Sequence, residues 1–164
     1  MFHISFEALG FFSLLIALLS YIPYLKTVMS NKTKPHAFSW FIWFVMTSIV
    51  FTAQHISGAG AGSWSMALTA FFTLMIFIFS IFKGEKDIKK SDIIVFIMAL
   101  SAIPVWHFTK DPFYAVVLVS IIDALAFFPT FRKSWYKPDE ELPLTFALSA
   151  IKHIVSIFAL ENFN

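Results

Sequence analysis

The sequence predicts an all-α membrane protein of six transmembrane helices, with both termini on the outer side of the bilayer. Three observations carry that prediction: six apolar segments of spanning length, basic residues confined to alternate loops, and a proline-and-lysine passage that occurs twice. Of 164 residues, 59% are apolar and 13% charged, and mean hydropathy is +0.78. A water-soluble domain sits nearer half apolar and a quarter charged. Twenty-two Phe and five Trp add to the excess. A net charge of +2 is too small to point to nucleic acid. The chain has no cysteine, so disulfides and thiolate metal sites are excluded.

The segments fall at 6–28, 36–56, 64–82, 92–109, 112–131 and 142–160. Each approaches the roughly 17–25 residues a crossing helix needs. Each is expected to be helical, because lipid offers an open backbone no partners. The first has no Lys or Arg before its apolar run, so it lacks the positive region of a secretory leader and is expected to stay as a span. The second follows Pro35 and carries Trp40, Trp43 and Gln54. The third repeats hydroxyls at helical spacing, Ser65, Thr69, Thr73 and Ser80, along an otherwise apolar face. The fourth carries no comparable stripe. The fifth holds Asp123 and Pro129, and the sixth opens at Pro143 and holds Lys152 and His153.

The charges set the orientation. Lys26, Lys32 and Lys34 follow the first segment, Lys83, Lys86, Lys89 and Lys90 the third, and Arg132, Lys133 and Lys137 the fifth. These are ten of the twelve Lys and Arg residues. Positive loops stay cytoplasmic, which puts both termini outside. The opposite loop "SGAGAGSW" (Ser57 to Trp64) lacks the Gly-Lys-Ser/Thr ending of a phosphate loop and reads as a flexible outer turn.

The repeat appears when Pro23 is set over Pro129. "YIPYLKTVMSNKTKPHAFSW" then matches "FFPTFRKSWYKPDEELPLTF", with two extra residues in the second loop. Pro35 and Pro143 suit the first turn of a helix, where a missing N–H costs nothing. Pro23 and Pro129 fall inside helices, where proline removes a backbone bond and bends the axis. The first and fifth segments run the same way, so the copies are parallel, and the fourth restores direction between them. The chain thus divides into a three-helix unit at 1–83, a linker helix at 91–110 and a shorter second unit at 111–164.

Two parallel units, each with a proline near the end of its first helix and another at the start of its second, joined by an inversion helix, resemble the PQ-loop superfamily. That group includes the SWEET and SemiSWEET sugar transporters, lysosomal amino-acid exporters and the KDEL receptor. The resemblance implies a hinge tetrad of Pro23, Pro35, Pro129 and Pro143, and a transporter that moves a small polar or aromatic solute by alternating access. It equally leaves open a receptor or assembly partner that binds without transporting. The glutamine that follows the family's proline is Tyr24 in one copy and Thr130 in the other. The family's second unit has a third helix that this chain lacks, a contact a homodimer could supply.

The candidate binding and coupling residues are Trp43, Gln54, Asp123, Lys152 and His153. Asp123 lies about 12 Å from the inner end of its segment and Lys152 about 15 Å from the inner end of the next. In a side-by-side hairpin the two are expected to meet as an ion pair, because a lone charge at mid-bilayer costs about 2.5–3.5 kcal/mol or more. Trp43, deeper than Trp40, is expected to line a cavity, and Trp40 to sit in the aromatic belt at the interface. The histidines show no metal-ligand spacing with carboxylates, and no nucleophile–base pattern stands out. The expectation is therefore no enzyme, no metal and no cofactor, with the bilayer and a small solute as partners. Short loops fit a bacterial inner membrane.

Overall fold

The computed structural model describes residues 5–109 and 112–161. Lys110, Asp111 and the last three residues, which the sequence places in loops opposite the basic ones, lie outside the described residues. Six helices form: α1 (Phe6–Met29), α2 (Ala37–Ile56), α3 (Trp64–Lys83), α4 (Lys90–Thr109), α5 (Pro112–Tyr136) and α6 (Pro143–Phe158). Short 3-10 turns at Gly60–Ser63 and Pro138–Glu140 precede α3 and α6. No strand occurs among the described residues. α1, α2 and the 60–83 segment are long and apolar enough to cross a membrane, and α6 is a shorter apolar helix. This is a membrane protein by length and composition.

Local chemistry sets the helix ends. The Ser5 side chain caps α1 by accepting from the Ala8 amide at 3.2 Å. Pro143 occupies the first turn of α6, with Leu142 extended before it at φ −114° and ψ 90°. Pro35 differs from expectation. His36 is the N-cap of α2, so Pro35 lies one residue outside the helix. Its carbonyl is thereby free to accept from the Glu85 amide at 3.1 Å, tying the α1–α2 loop to the α3–α4 loop. Pro23 and Pro129 lie within continuous helices.

α3 packs against both α1 and α2, α6 packs on α1, and α5 packs on α2 and α4. The first helix of each sequence repeat thus meets the second helix of the other. The loops after α1, α3 and α5 gather at one end, where the Lys34 amide donates to the Glu140 carbonyl and Lys137 pairs with Glu85. The expected side-by-side α5–α6 hairpin does not form: α6 packs mainly on α1 and α5 on α2 and α4, and the two helices meet through the Phe127 and Phe146 rings, 5.9 Å apart between centroids. The residues of α6 that would have faced α5 bond to α1 instead. The Ser20 hydroxyl donates to the Thr145 carbonyl at 2.9 Å and lies 3.2 Å from the Ser149 hydroxyl, and the Thr145 hydroxyl donates to the Ser20 carbonyl.

The glycine-rich turn at the opposite end is no loose loop. Ala59, Ala61 and Ser63 are buried, and the Ser156 hydroxyl donates to the Gly62 carbonyl at 2.8 Å. The Ala61 amide donates to Glu161. Gly62 is glycine because a Cβ there would lie 2.6 Å from the Leu160 side chain and 2.9 Å from its backbone. Gly62→Ala is therefore expected to cost about 1–3 kcal/mol through overpacking. A thermal unfolding scan checks this, and an unchanged Tm would mean the turn is not seated against the end of α6.

Candidate functional site

A cavity of about 450 Å³ lies between α1, α2, α3, α5 and α6. α2, α3, α5 and α6 each contribute a stripe at three- and four-residue spacing, and α1 a single ring. α2 gives Trp40, Trp43 and Thr47, α3 gives Thr69 and Thr73, and α1 gives Tyr21. α5 gives Asp123 and Phe127, and α6 gives Phe146, Ser149 and His153. Aromatic rings crowd one side: Trp43 stands 4.7 Å from Phe127, 5.1 Å from Trp40 and 6.0 Å from Phe146 between centroids. Hydroxyls line the other. Most of them also bond their own helix, Thr69 to the Ser65 carbonyl and Thr73 to the Thr69 carbonyl, which is how such residues are tolerated in apolar helices.

Of the five residues singled out in the sequence, Trp43, Asp123 and His153 reach the cavity. The Trp43 indole N–H donates to Asp123 Oδ1 at 3.1 Å. Lys152 stands behind the wall. It is fully buried, its ammonium donating to Thr69 Oγ1 at 2.6 Å and lying 5.4 Å from the centre of the Tyr21 ring. The Asp123–Lys152 pair is absent, since α6 turns Lys152 toward α1 and α3 while Asp123 points at α2. Gln54 lies outside the cavity, and its side-chain oxygen is buried without a hydrogen-bond partner. Trp40 is no belt residue. It is 2% exposed and packs between Tyr24 and Trp43 on the cavity wall.

The loop end that carries the basic residues is closed by a buried charge network that sequence reasoning missed. Lys133, 2% exposed, donates to Glu141 Oε1 and to the Lys34 carbonyl, both at 2.6 Å, and to the Glu140 carbonyl at 3.0 Å. The Tyr24 hydroxyl donates to the other oxygen of Glu141 at 2.9 Å. Burial pushes Glu141 above the usual carboxylate range, against the pull of Lys133 and Tyr24. Beside it, Arg132 grips Asp92 through two nitrogens at 2.9 and 2.6 Å, and His36 Nε2 lies 3.4 Å from the same carboxylate. Burial depresses the His36 pKa despite Asp92, which keeps its imidazole neutral. Glu85 is also disfavoured by burial, yet Lys137 and two backbone amides outweigh that and hold it at about 2.

No protein-family model, curated protein or solved structure matches this chain. The geometry therefore speaks alone. It offers an aromatic surface for stacking, hydroxyls and an imidazole for hydrogen bonds, and a carboxylate held by one indole. One signal for the network was present in the sequence. Tyr24 sits directly after Pro23, and Lys133 lies one helical turn after Pro129, each just past the first proline of its repeat copy.

Proposed function

We propose that this chain is a small membrane transporter built on the PQ-loop plan, moving a polar or aromatic solute by alternating access. In this reading α1–α3 and α5–α6 are parallel halves, α4 reverses the chain between them, and six spans place the basic end in the cytoplasm of a bacterial cell. One observation supports it above others. The cavity lies between the halves, and its closure at the basic end joins Lys133 and Glu141 of one half to Tyr24 and Lys34 of the other. Parting the halves there would open the cavity to that side.

Pro23 and Pro129 supply places to bend. Each frees the carbonyl four residues before it, at Leu19 and Leu125, and weakens the helix locally. Pro23 immediately precedes Tyr24, and Pro129 stands one turn before Lys133, so bending at either proline moves a closing residue. Pro35 and Pro143 frame the loops that these residues pull together. A solute that moves through such a site must favour neither state by much, since tight binding to one state stalls turnover.

Reconstituted vesicles test the reading with panels of sugars, amino acids and aromatic vitamins. At least one solute is expected to exchange. Asp123→Asn should slow that exchange about tenfold, the equivalent of one charge-assisted hydrogen bond of roughly 1.5 kcal/mol. It should also abolish any response to a pH gradient. Solute binding without exchange would make the protein a receptor instead, and no binding at all would remove the reading.

A further inference from the structure

Asp123 and Lys152 stand at mid-helix around the cavity, and neither has a partner of opposite charge among the described residues. Asp123, on α5, lines the cavity and is held there by the Trp43 indole at 3.1 Å. Lys152, on α6, is turned toward α1 and α3. Its ammonium donates to Thr69 Oγ1 at 2.6 Å and lies 5.4 Å from the centre of the Tyr21 ring. Thr69 and Tyr21 both line the cavity, so the ammonium is one side chain away from it. α5 packs on α2 and α4 and meets α6 through Phe127 and Phe146, whereas α3 packs on α1 and α2. The carboxylate and the ammonium therefore flank the cavity from different walls. Buried charges are ordinarily paired. Within a membrane span, an ionisable group without a partner marks the path of a solute or ion.

We infer that the cavity takes a zwitterion whose ammonium and carboxylate lie at opposite ends of the molecule, as in an ω-amino acid. The inference rests on the cavity being the solute site proposed above, and it names the class of solute. The ammonium end meets Asp123, beside the Trp43 and Phe127 rings, whose faces attract a cation. The carboxylate end meets the wall of Tyr21, Thr69 and Ser149, with Lys152 behind it. The lysine stem can swing its ammonium from Thr69 to that carboxylate, and Thr69 keeps its bond to the Ser65 carbonyl. An apolar spacer between the two ends suits the rings of Trp43, Phe127 and Phe146. Each solute charge thus gains a counter-charge where the dielectric is low and such attraction is strong. Other solutes leave a charge over. A sugar pairs with neither group. An alkylammonium ion leaves Lys152 alone and is repelled by it, and a simple carboxylate does the same with Asp123. An α-amino acid carries both charges on one carbon and so reaches one wall at a time.

Titration calorimetry on the full chain in lipid nanodiscs, with empty nanodiscs as the blank, tests this. The probes are 6-aminohexanoate, its single-charge analogues hexylammonium and hexanoate, glycine, and glucose. 6-Aminohexanoate is expected to bind about tenfold or more tighter than any of the others, the effect of one hydrogen bond to a charged group. Asp123→Asn should bring 6-aminohexanoate level with hexanoate, and Lys152→Met should bring it level with hexylammonium. A merely structural role for either residue would weaken all probes alike. The inference is overturned if a single-charge probe, glycine or glucose binds as tightly as 6-aminohexanoate, or if 6-aminohexanoate does not bind. It is also overturned if both variants keep the wild-type order of affinities. Exchange of 6-aminohexanoate across reconstituted vesicles would support both readings. Its binding without exchange would support this one and remove the transporter. Exchange of a sugar without binding of 6-aminohexanoate would sink this one and spare the transporter.

Discussion

Lys133→Met is expected to destabilise the protein by about 3–5 kcal/mol at neutral pH, the usual penalty for removing one partner of a buried ion pair. The substitution keeps the side chain's length and removes all three hydrogen bonds, to Glu141 and to the carbonyls of Lys34 and Glu140. Glu141 is left as a buried carboxylate with the Tyr24 hydroxyl as its remaining side-chain donor. Burial already holds its folded pKa above the ordinary value with Lys133 present. Losing the ammonium pushes it further up. A carboxyl whose pKa is raised by folding favours the folded state below its unfolded pKa of about 4.3, and that advantage is lost as pH rises through the raised value. The deficit of the variant should therefore be small near pH 4 and complete at neutral pH. Lys133→Met with Glu141→Gln should recover a large part of the loss, because no buried charge then lacks a partner. Thermal unfolding across that pH range decides the matter. A pH-independent loss under 1 kcal/mol, on the scale of a surface pair, would mean the basic end is not closed by this network.

Much of the fold was legible because a bilayer imposes one-dimensional rules. Apolar length located all six helices, and most ends fall within two residues of the reading. The exception is the end of α5, which hydropathy stops at 131 and the structure carries to Tyr136. The extra turn is amphipathic. Lys133 is buried in the network while Trp135 and Tyr136 are largely exposed, and the helix ends only as Pro138 approaches. Hydropathy averages such a turn away. It is equally silent about partners. A short connection implies neighbouring helices, yet residues 137–142 hand α6 mainly to α1. The network was hidden for the same reason, since its bonds join positions as far apart as Tyr24 and Glu141.

The candidate site was readable by face better than by depth. Gln54 lies eleven residues beyond Trp43, close to three full turns, so the two share a face of α2. The same count places Gln54 roughly 16 Å further along the axis, past the cavity. Trp40 failed in the opposite sense. Its distance from the apolar edge suggested headgroups, but Tyr21 and Tyr24 of α1 pack against it and bury it among rings. The Asp123–Lys152 pairing was argued from matched depth, but depth does not fix the face a side chain takes, and Lys152 turns to Thr69 and Tyr21 while Asp123 meets Trp43.

Lys152→Met is expected to raise stability by about 1–4 kcal/mol, the range seen when buried charged groups give way to apolar ones of similar shape. The ammonium is fully buried, and among the described residues its hydrogen-bond acceptor is Thr69 Oγ1. The Tyr21 face adds a cation–π contact of about 0.5–2 kcal/mol. Neither replaces the hydration that the amino group gives up on burial. Methionine fills the same space, and Thr69 keeps its bond to the Ser65 carbonyl. A costly group at a site wall points to a use, because binding residues are where stability is commonly given up. The same variant should therefore bind its solute more weakly while melting higher. The two readouts separate the alternatives. A rise in Tm with binding unchanged would make Lys152 a tolerated burden without a role at the site. A fall in Tm would show that the ammonium contributes net stability, and would overturn the view that its charge is retained against a cost.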